Sequence, residues 1–236
     1  MTSWSALTLL GLGLIFGLKH AGDVDHVVAV STIVSQQRNL LRAAAVGALW
    51  GLGHAFTLLV VGGIVLGFRL GISTTIAGWL ELTVALMIIV LGILALKRVF
   101  QGRKDVHIHR HQHDGISHVH IHFHDPGKEH SRSSMHSHGI SRLGVKPLLI
   151  GAVHGLAGSA ALTLIVLTQT SSLVLGLLYL LCFGAGATIG MLLLSGLIGL
   201  PFALTERRLT GLHNSLQMVA GALSIAFGIW YAYHAL

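Results

Sequence analysis

Four side chains able to bind a metal or carry a proton fall within seven consecutive positions. They are His20, Asp23, Asp25 and His26, in the run His20-Ala21-Gly22-Asp23-Val24-Asp25-His26. The run interrupts an otherwise apolar stretch from Trp4 to about Val34. Ionisable groups at membrane depth are costly and rarely face lipid, so they mark a cavity or a pathway. Imidazole and carboxylate together form a ligand set for divalent transition metals. On a regular helix, at about 100° per residue, His20, Asp23 and His26 share one face and Asp25 points nearly the opposite way. Asp25 then either holds a histidine tautomer from behind, or the helix breaks near Gly22, as helices lining a cavity can. Deprotonated ligands bind metal and protonated ones release it, so occupancy of such a site depends on pH.

Further polar groups recur in later apolar runs. His54 and Thr57 share a helix face at a spacing of three, at a depth similar to His20. His154 is followed by Gly155-Leu156-Ala157-Gly158-Ser159, with the Ser159 hydroxyl but no acid. Thr188 lies in a Gly-rich run, and Glu81 lies near the outer end of the third span. Thr57, Glu81, His154, Ser159 and Thr188 are read as pathway or supporting residues.

The elements that must position these groups are membrane helices. Of the 236 residues, 53% are hydrophobic and only 10% are charged, against about 25% charged in soluble domains. The predicted fold is an all-α integral membrane protein with six spans, at roughly 5–34, 43–67, 75–97, 147–169, 173–200 and 211–234. Pro201 is expected to end the fifth. A polar insert at 98–146 separates a first three-helix unit (1–97) from a second (147–236). The halves align at an offset of about 134–136 residues: Gly17-Leu18-Lys19-His20 with Gly151-Ala152-Val153-His154, Gly51 to Thr57 opposite Ala185 to Met191, and Leu80 to Ile93 with Leu216 to Ile229. An odd number of spans per unit inverts the second copy, a common transporter plan with its site near the midplane.

The net charge of +7 reflects topology rather than nucleic-acid binding. Arg38 and Arg42, the cations of the insert, and Arg207 and Arg208 all fall on one side, whereas the other side has Arg69. By the positive-inside rule the insert is cytoplasmic and both termini are outside, in a multi-pass protein of the cell membrane. Enzyme chemistry is unsupported. There is no His-Glu-x-x-His, no P-loop and no nucleophile elbow, and the single cysteine, Cys182, excludes paired-thiol chemistry.

The insert carries its own pattern. His107, His109, His111 and His113 alternate with other residues, as do His118, His120, His122 and His124, around Asp114-Gly115. Alternation is strand periodicity and Asp-Gly is a hairpin turn signal. The expected hairpin at 106–124 pairs His113 with His118, His111 with His120, His109 with His122 and His107 with His124, all on one face. Such a tract suits nickel, cobalt, zinc or copper, as a capture or buffering device.

The pattern His-x4-Asp-His from His20 to His26 resembles the signature of the nickel/cobalt transporter family. Leu52-Gly53-His54-Ala55-Phe56-Thr57 is similar to the motif that follows it in that family, and His154-Gly155-Leu156 resembles the start of a later one, whose acidic continuation is replaced here. The chain looks most like the short branch of membrane-bound urease accessory or high-affinity nickel transport proteins. The resemblance implies that His20, Asp25, His26 and His54 are metal-site residues; the helix wheel adds Asp23. It implies transport of Ni²⁺, with Co²⁺ as second candidate, in the import direction. Export through the same chemistry, or a storage and delivery module for metalloenzyme maturation, are the alternatives. The expected partners are the metal ion, the bilayer, and a metallochaperone or maturation protein, with no permanently bound cofactor.

Overall fold

The computed structural model describes residues 3–37, 39–71, 73–102, 106–113, 116–123, 145–169, 172–205 and 210–235. Among the described residues, seven helices and one hairpin follow in order: α1 Ser3–His20, α2 Val24–Val34, α3 Leu40–Phe68, α4 Thr74–Gly102, β1 Val106–His113, β2 Ile116–Phe123, α5 Lys146–Gln169, α6 Leu173–Thr205 and α7 Thr210–Ala235. In lipid every backbone group must be paired within the chain, and helices meet that demand locally. Among the described residues, four helices, α3, α4, α6 and α7, are long and apolar enough to cross a membrane, and the α1–α2 pair, bent by 55°, is a broken span or a re-entrant loop that makes a fifth if it is one span. The chain is an all-helical membrane protein outside the hairpin. In α5 the side chains from 158 to 169 lie outside the described residues.

Helix ends follow local chemistry. The Asn39 side chain caps α3 by accepting from the Leu41 N–H at 2.8 Å, which satisfies one orphan donor. Arg69 closes α3 in the left-handed region, at φ 50°. Pro201 does not end α6. Helix continues to Thr205, with Phe202 buried and the Thr205 hydroxyl donating to the Pro201 carbonyl at 2.8 Å. Proline removes one hydrogen bond and kinks a helix without forbidding its continuation, and burial of Phe202 keeps the last turn docked.

At the centre α3 packs on α6. α1 packs on α6, α5 on α3, and α4 on α7, while α2 reaches α4, α6 and α7. Trp50, Leu58, Ile88, Leu180, Phe183 and Met191 form the buried core. Small residues let membrane helices approach closely, and here the close approaches come in pairs. A Cβ added at Gly17 would strike the Phe183 carbonyl, and one at Gly151 the Trp50 carbonyl. A Cβ at Gly53 would strike the Leu148 carbonyl, and one at Gly186 the Leu14 carbonyl.

A hydroxyl cluster ties α2 to α7. Thr32 Oγ1 and Ser224 Oγ hydrogen-bond to each other in full burial, and Gln217 Nε2 donates to the Ser35 carbonyl at 2.8 Å. Interhelical bonds of this kind contribute about 0.6–2 kcal/mol each. Ser224→Ala is therefore expected to lower unfolding stability by about that amount, read as the thermal midpoint of the detergent-solubilised protein.

The hairpin forms in a different register from the expected one. His107 lies opposite His122, His109 opposite His120, His111 opposite His118, and His113 opposite Ile116. The strands close on residues 113 and 116, with two residues between them instead of the four that the expected pairing needed. Two-residue Asp-Gly connections match the twist of paired strands better than longer ones. The cross-strand histidine pairs thus number three instead of four, and His124 lies outside the described residues.

Candidate metal centre

The break between α1 and α2 creates the site. After His20 the Gly22 N–H donates to the Lys19 carbonyl at 2.9 Å and the Asp23 N–H to the His20 carbonyl at 3.0 Å, one tight turn before Asp23 starts α2 in extended conformation. Asp25 falls in the first turn of α2, where the helix dipole favours a carboxylate.

Three hydrogen bonds organise the cluster. His20 Nδ1 lies 2.7 Å from Asp23 Oδ2, His26 Nδ1 lies 3.0 Å from Asp25 Oδ1, and His154 Nε2 lies 2.8 Å from Asp25 Oδ2. An ionised carboxylate only accepts, so each of these imidazole nitrogens carries the donated proton. Among the described residues, His20 Nε2, His26 Nε2, His154 Nδ1 and both nitrogens of His54 are buried with no hydrogen-bond partner; each of the first three is left as a base, and neutral His54 has one basic nitrogen and one N–H. One ligand atom from each of His20, His26 and His54 lies within 4.8 Å of the others, and the same holds for Asp25, His26 and His154. His26 belongs to both trios.

The surroundings grade from buried to open. His26, His54 and His154 are buried, and the side chains of His20, Asp25 and Asp23 are 17%, 20% and 53% exposed. The His26 ring lies 4.2 Å from that of His154, 4.5 Å from that of His20 and 5.3 Å from that of His54, centroid to centroid. Unpaired imidazole nitrogens held together in an apolar interior suit a transition-metal cation. A carboxylate behind the opposite ring nitrogen is the usual device for fixing a ligand histidine.

The helix wheel set Asp25 apart from the other three residues. Because the helix is broken, Asp25 instead sits between His26 and His154, and Asp23 lies toward the rim, bonded to His20 but in neither trio. Thr57 is half-buried one turn beyond His54, and Glu81 is half-buried on α4; neither belongs to a trio. Thr188 donates to the Gly184 carbonyl at 2.8 Å, within the α3–α6 contact opposite Gly51. The Ser159 side chain lies outside the described residues. Two residues not singled out in the sequence wall the site. Trp50 packs its ring 5.3 Å from His26 and 5.4 Å from His154, and Phe183 lies 5.3 Å from His20. The spacing of Trp50, one turn before His54 on the same helix, was the available signal for the first of them.

No family model and no solved structure matches the chain. Among curated proteins, the urease accessory protein UreH of Bacillus sp. (strain TB-90) is 39% identical over 237 residues, covering 97% of this chain and 92% of that protein. With that identity held across nearly its whole length, the chain belongs to the UreH family of urease accessory proteins, the short branch of the nickel/cobalt transporter family that its motifs resemble.

Proposed function

We propose that the protein carries Ni²⁺ across the membrane through the His20–His26–His54 trio, with Co²⁺ as the second candidate and import as the direction. The observation that carries this reading is the set of buried, unpartnered imidazole nitrogens from three different helices, two of whose rings have a carboxylate behind the other nitrogen. Imidazole donors favour nickel, cobalt, copper and zinc over magnesium or calcium. The name of the UreH relative connects it with urease, which supports nickel among these and a metalloenzyme maturation partner on the receiving side.

In this proposal His20 Nε2, His26 Nε2 and one nitrogen of His54 bind the cation, while Asp23 and Asp25 fix the rings. Asp23→Asn is then expected to weaken metal binding about 10–100-fold, measured by titration of the purified protein with Ni²⁺. Asp25, His26 and His154 form the next station, reached when Asp25 turns an oxygen from its histidines to the metal. The mirrored glycine contacts support six spans arranged as two inverted repeats: Gly17 and Gly151, Leu14 and Leu148, Trp50 and Phe183, and Gly53 and Gly186 stand 133 or 134 positions apart. One repeat rocking against the other would open the site to each side in turn. Both termini lie outside and the histidine hairpin lies in the cytoplasm, by the distribution of Lys and Arg. Paired histidines across its strands favour a role in receiving metal there; the same loop would serve an exporter by collecting it.

The test is metal flux into proteoliposomes across a panel of divalent ions, with His20→Ala alongside. Saturable Ni²⁺ flux lost in the variant is expected. Binding without flux in the wild type would leave storage and delivery as the function. Whole-cell nickel content with and without the protein reads the direction: import raises it and export lowers it.

A further inference from the structure

Away from both trios, a groove of about 960 Å³ opens among α2, α3, α4 and α5. Its rim holds Arg42, Arg98 and Lys146, with the amides of Gln36, Gln37 and Asn39 beside them. Its walls are apolar, from Met87, Leu91 and Leu94 on α4 and Ile150 on α5. No Asp or Glu lines it, and among the described residues none of the three cations makes an ion pair. Among the described residues, three like charges from three helix ends are thus gathered without a counter-ion.

We infer that this groove binds one anionic phospholipid, its headgroup phosphate on Arg42, Arg98 and Lys146 and an acyl chain against α4. The charge calls for an anion, and the depth calls for a lipid. From Arg98 to Met87 the groove follows α4 for about 16 Å at 1.5 Å per residue, close to one leaflet of a ~30 Å hydrocarbon core. A small soluble anion would engage only the rim and leave those walls empty. Leu94 and Leu149 are 43% and 57% exposed, so the groove is open laterally to lipid. Basic pockets between membrane helices at the headgroup level are a known mode of anionic lipid recognition. The insert itself fits poorly, because residues 103–144 carry six basic and four acidic side chains and would meet a rim of their own sign. The inference is independent of the metal reading.

The experiment uses full-length protein in a neutral mild detergent, titrated with phosphatidylglycerol or phosphatidylcholine and read by native mass spectrometry. Wild type is expected to retain phosphatidylglycerol in preference to phosphatidylcholine. Each basic residue near a membrane surface contributes about five-fold to anionic lipid affinity, so the triple variant R42A/R98A/K146A should lose on the order of 100-fold. Leu91→Trp, which fills the groove and spares the charges, should lose retention as well. If the triple variant does not purify, Arg42→Gln, at an exposed helix end, should still lose about five-fold. Equal retention of the two lipids overturns the inference. So does full competition by inorganic phosphate, which would make the site a free-anion site. Retention unchanged in Leu91→Trp would reduce it to surface attraction, and retention appearing only after deletion of 103–144 would make the insert the natural occupant.

Discussion

His26→Ala is expected to abolish metal uptake, with a loss well beyond the roughly 10–100-fold typical of removing a residue that only supports a ligand. His26 is the one side chain common to both trios. Its Nδ1 is held by Asp25 and its Nε2 is buried and unpartnered, so the ring is fixed in the tautomer that presents a lone pair to a cation. His54 and His154 each belong to one trio. Their alanine variants should therefore be partly impaired, and in different ways. His54→Ala should weaken Ni²⁺ binding to the purified protein, whereas His154→Ala should slow uptake with binding largely kept. Uptake by metal-depleted cells at matched expression, together with titration of the purified variants, separates the three. Uptake in His26→Ala no lower than in His154→Ala would remove the case for a shared ligand.

The second large effect concerns packing. Gly151→Leu should drive the Trp50 carbonyl and the α5 backbone apart, since even a single carbon at that position meets the carbonyl at less than contact distance. Overpacking commonly costs about 1–3 kcal/mol, and a collision with backbone in place of a flexible side chain belongs at or above the upper end. The displaced residue is also the one whose ring walls His26 and His154, so the variants that do assemble should bind metal poorly. Gly17→Leu, which meets the Phe183 carbonyl in the mirrored position, should behave alike. Gly67→Ala, with nothing within 4 Å of the added carbon, should be neutral or slightly stabilising, given the helix propensity of alanine. Size-exclusion profiles and thermal midpoints in detergent check the set.

How much of this was legible beforehand depended on the physics of each feature. An ionisable side chain in an apolar run stands out in any reading, because the bilayer makes it costly wherever it points; hence His20, His26, His54 and His154 could be picked out singly. The motif resemblance grouped His20, His26 and His54, but the approach of His154 to Asp25 and His26 depends on helices far apart in the chain. The position of Asp25 turned on whether the backbone is continuous through Gly22, a choice that periodicity cannot make. Once the helix breaks there, Asp25 and Asp23 exchange the relations to the histidines that a straight helix would give them. In the insert, the alternation of histidines disclosed strands, but alternation alone fits more than one register, and the strands pair with His111 opposite His118. The all-helical membrane class was plain from composition, whereas the continuation of α6 through Pro201 was not, since burial of Phe202 is a tertiary matter.

The sharing of one imidazole between two neighbouring trios has a consequence for traffic. While its Nδ1 is bonded to Asp25, His26 has a single nitrogen to offer a cation. Two cations cannot both claim it, and two divalent charges this close in a largely buried site would repel strongly. In the proposed pathway, occupancy of one station would therefore vacate the other. On the proposed path, cations would pass one at a time, each exchanging His20 and His54 for Asp25 and His154 while keeping His26.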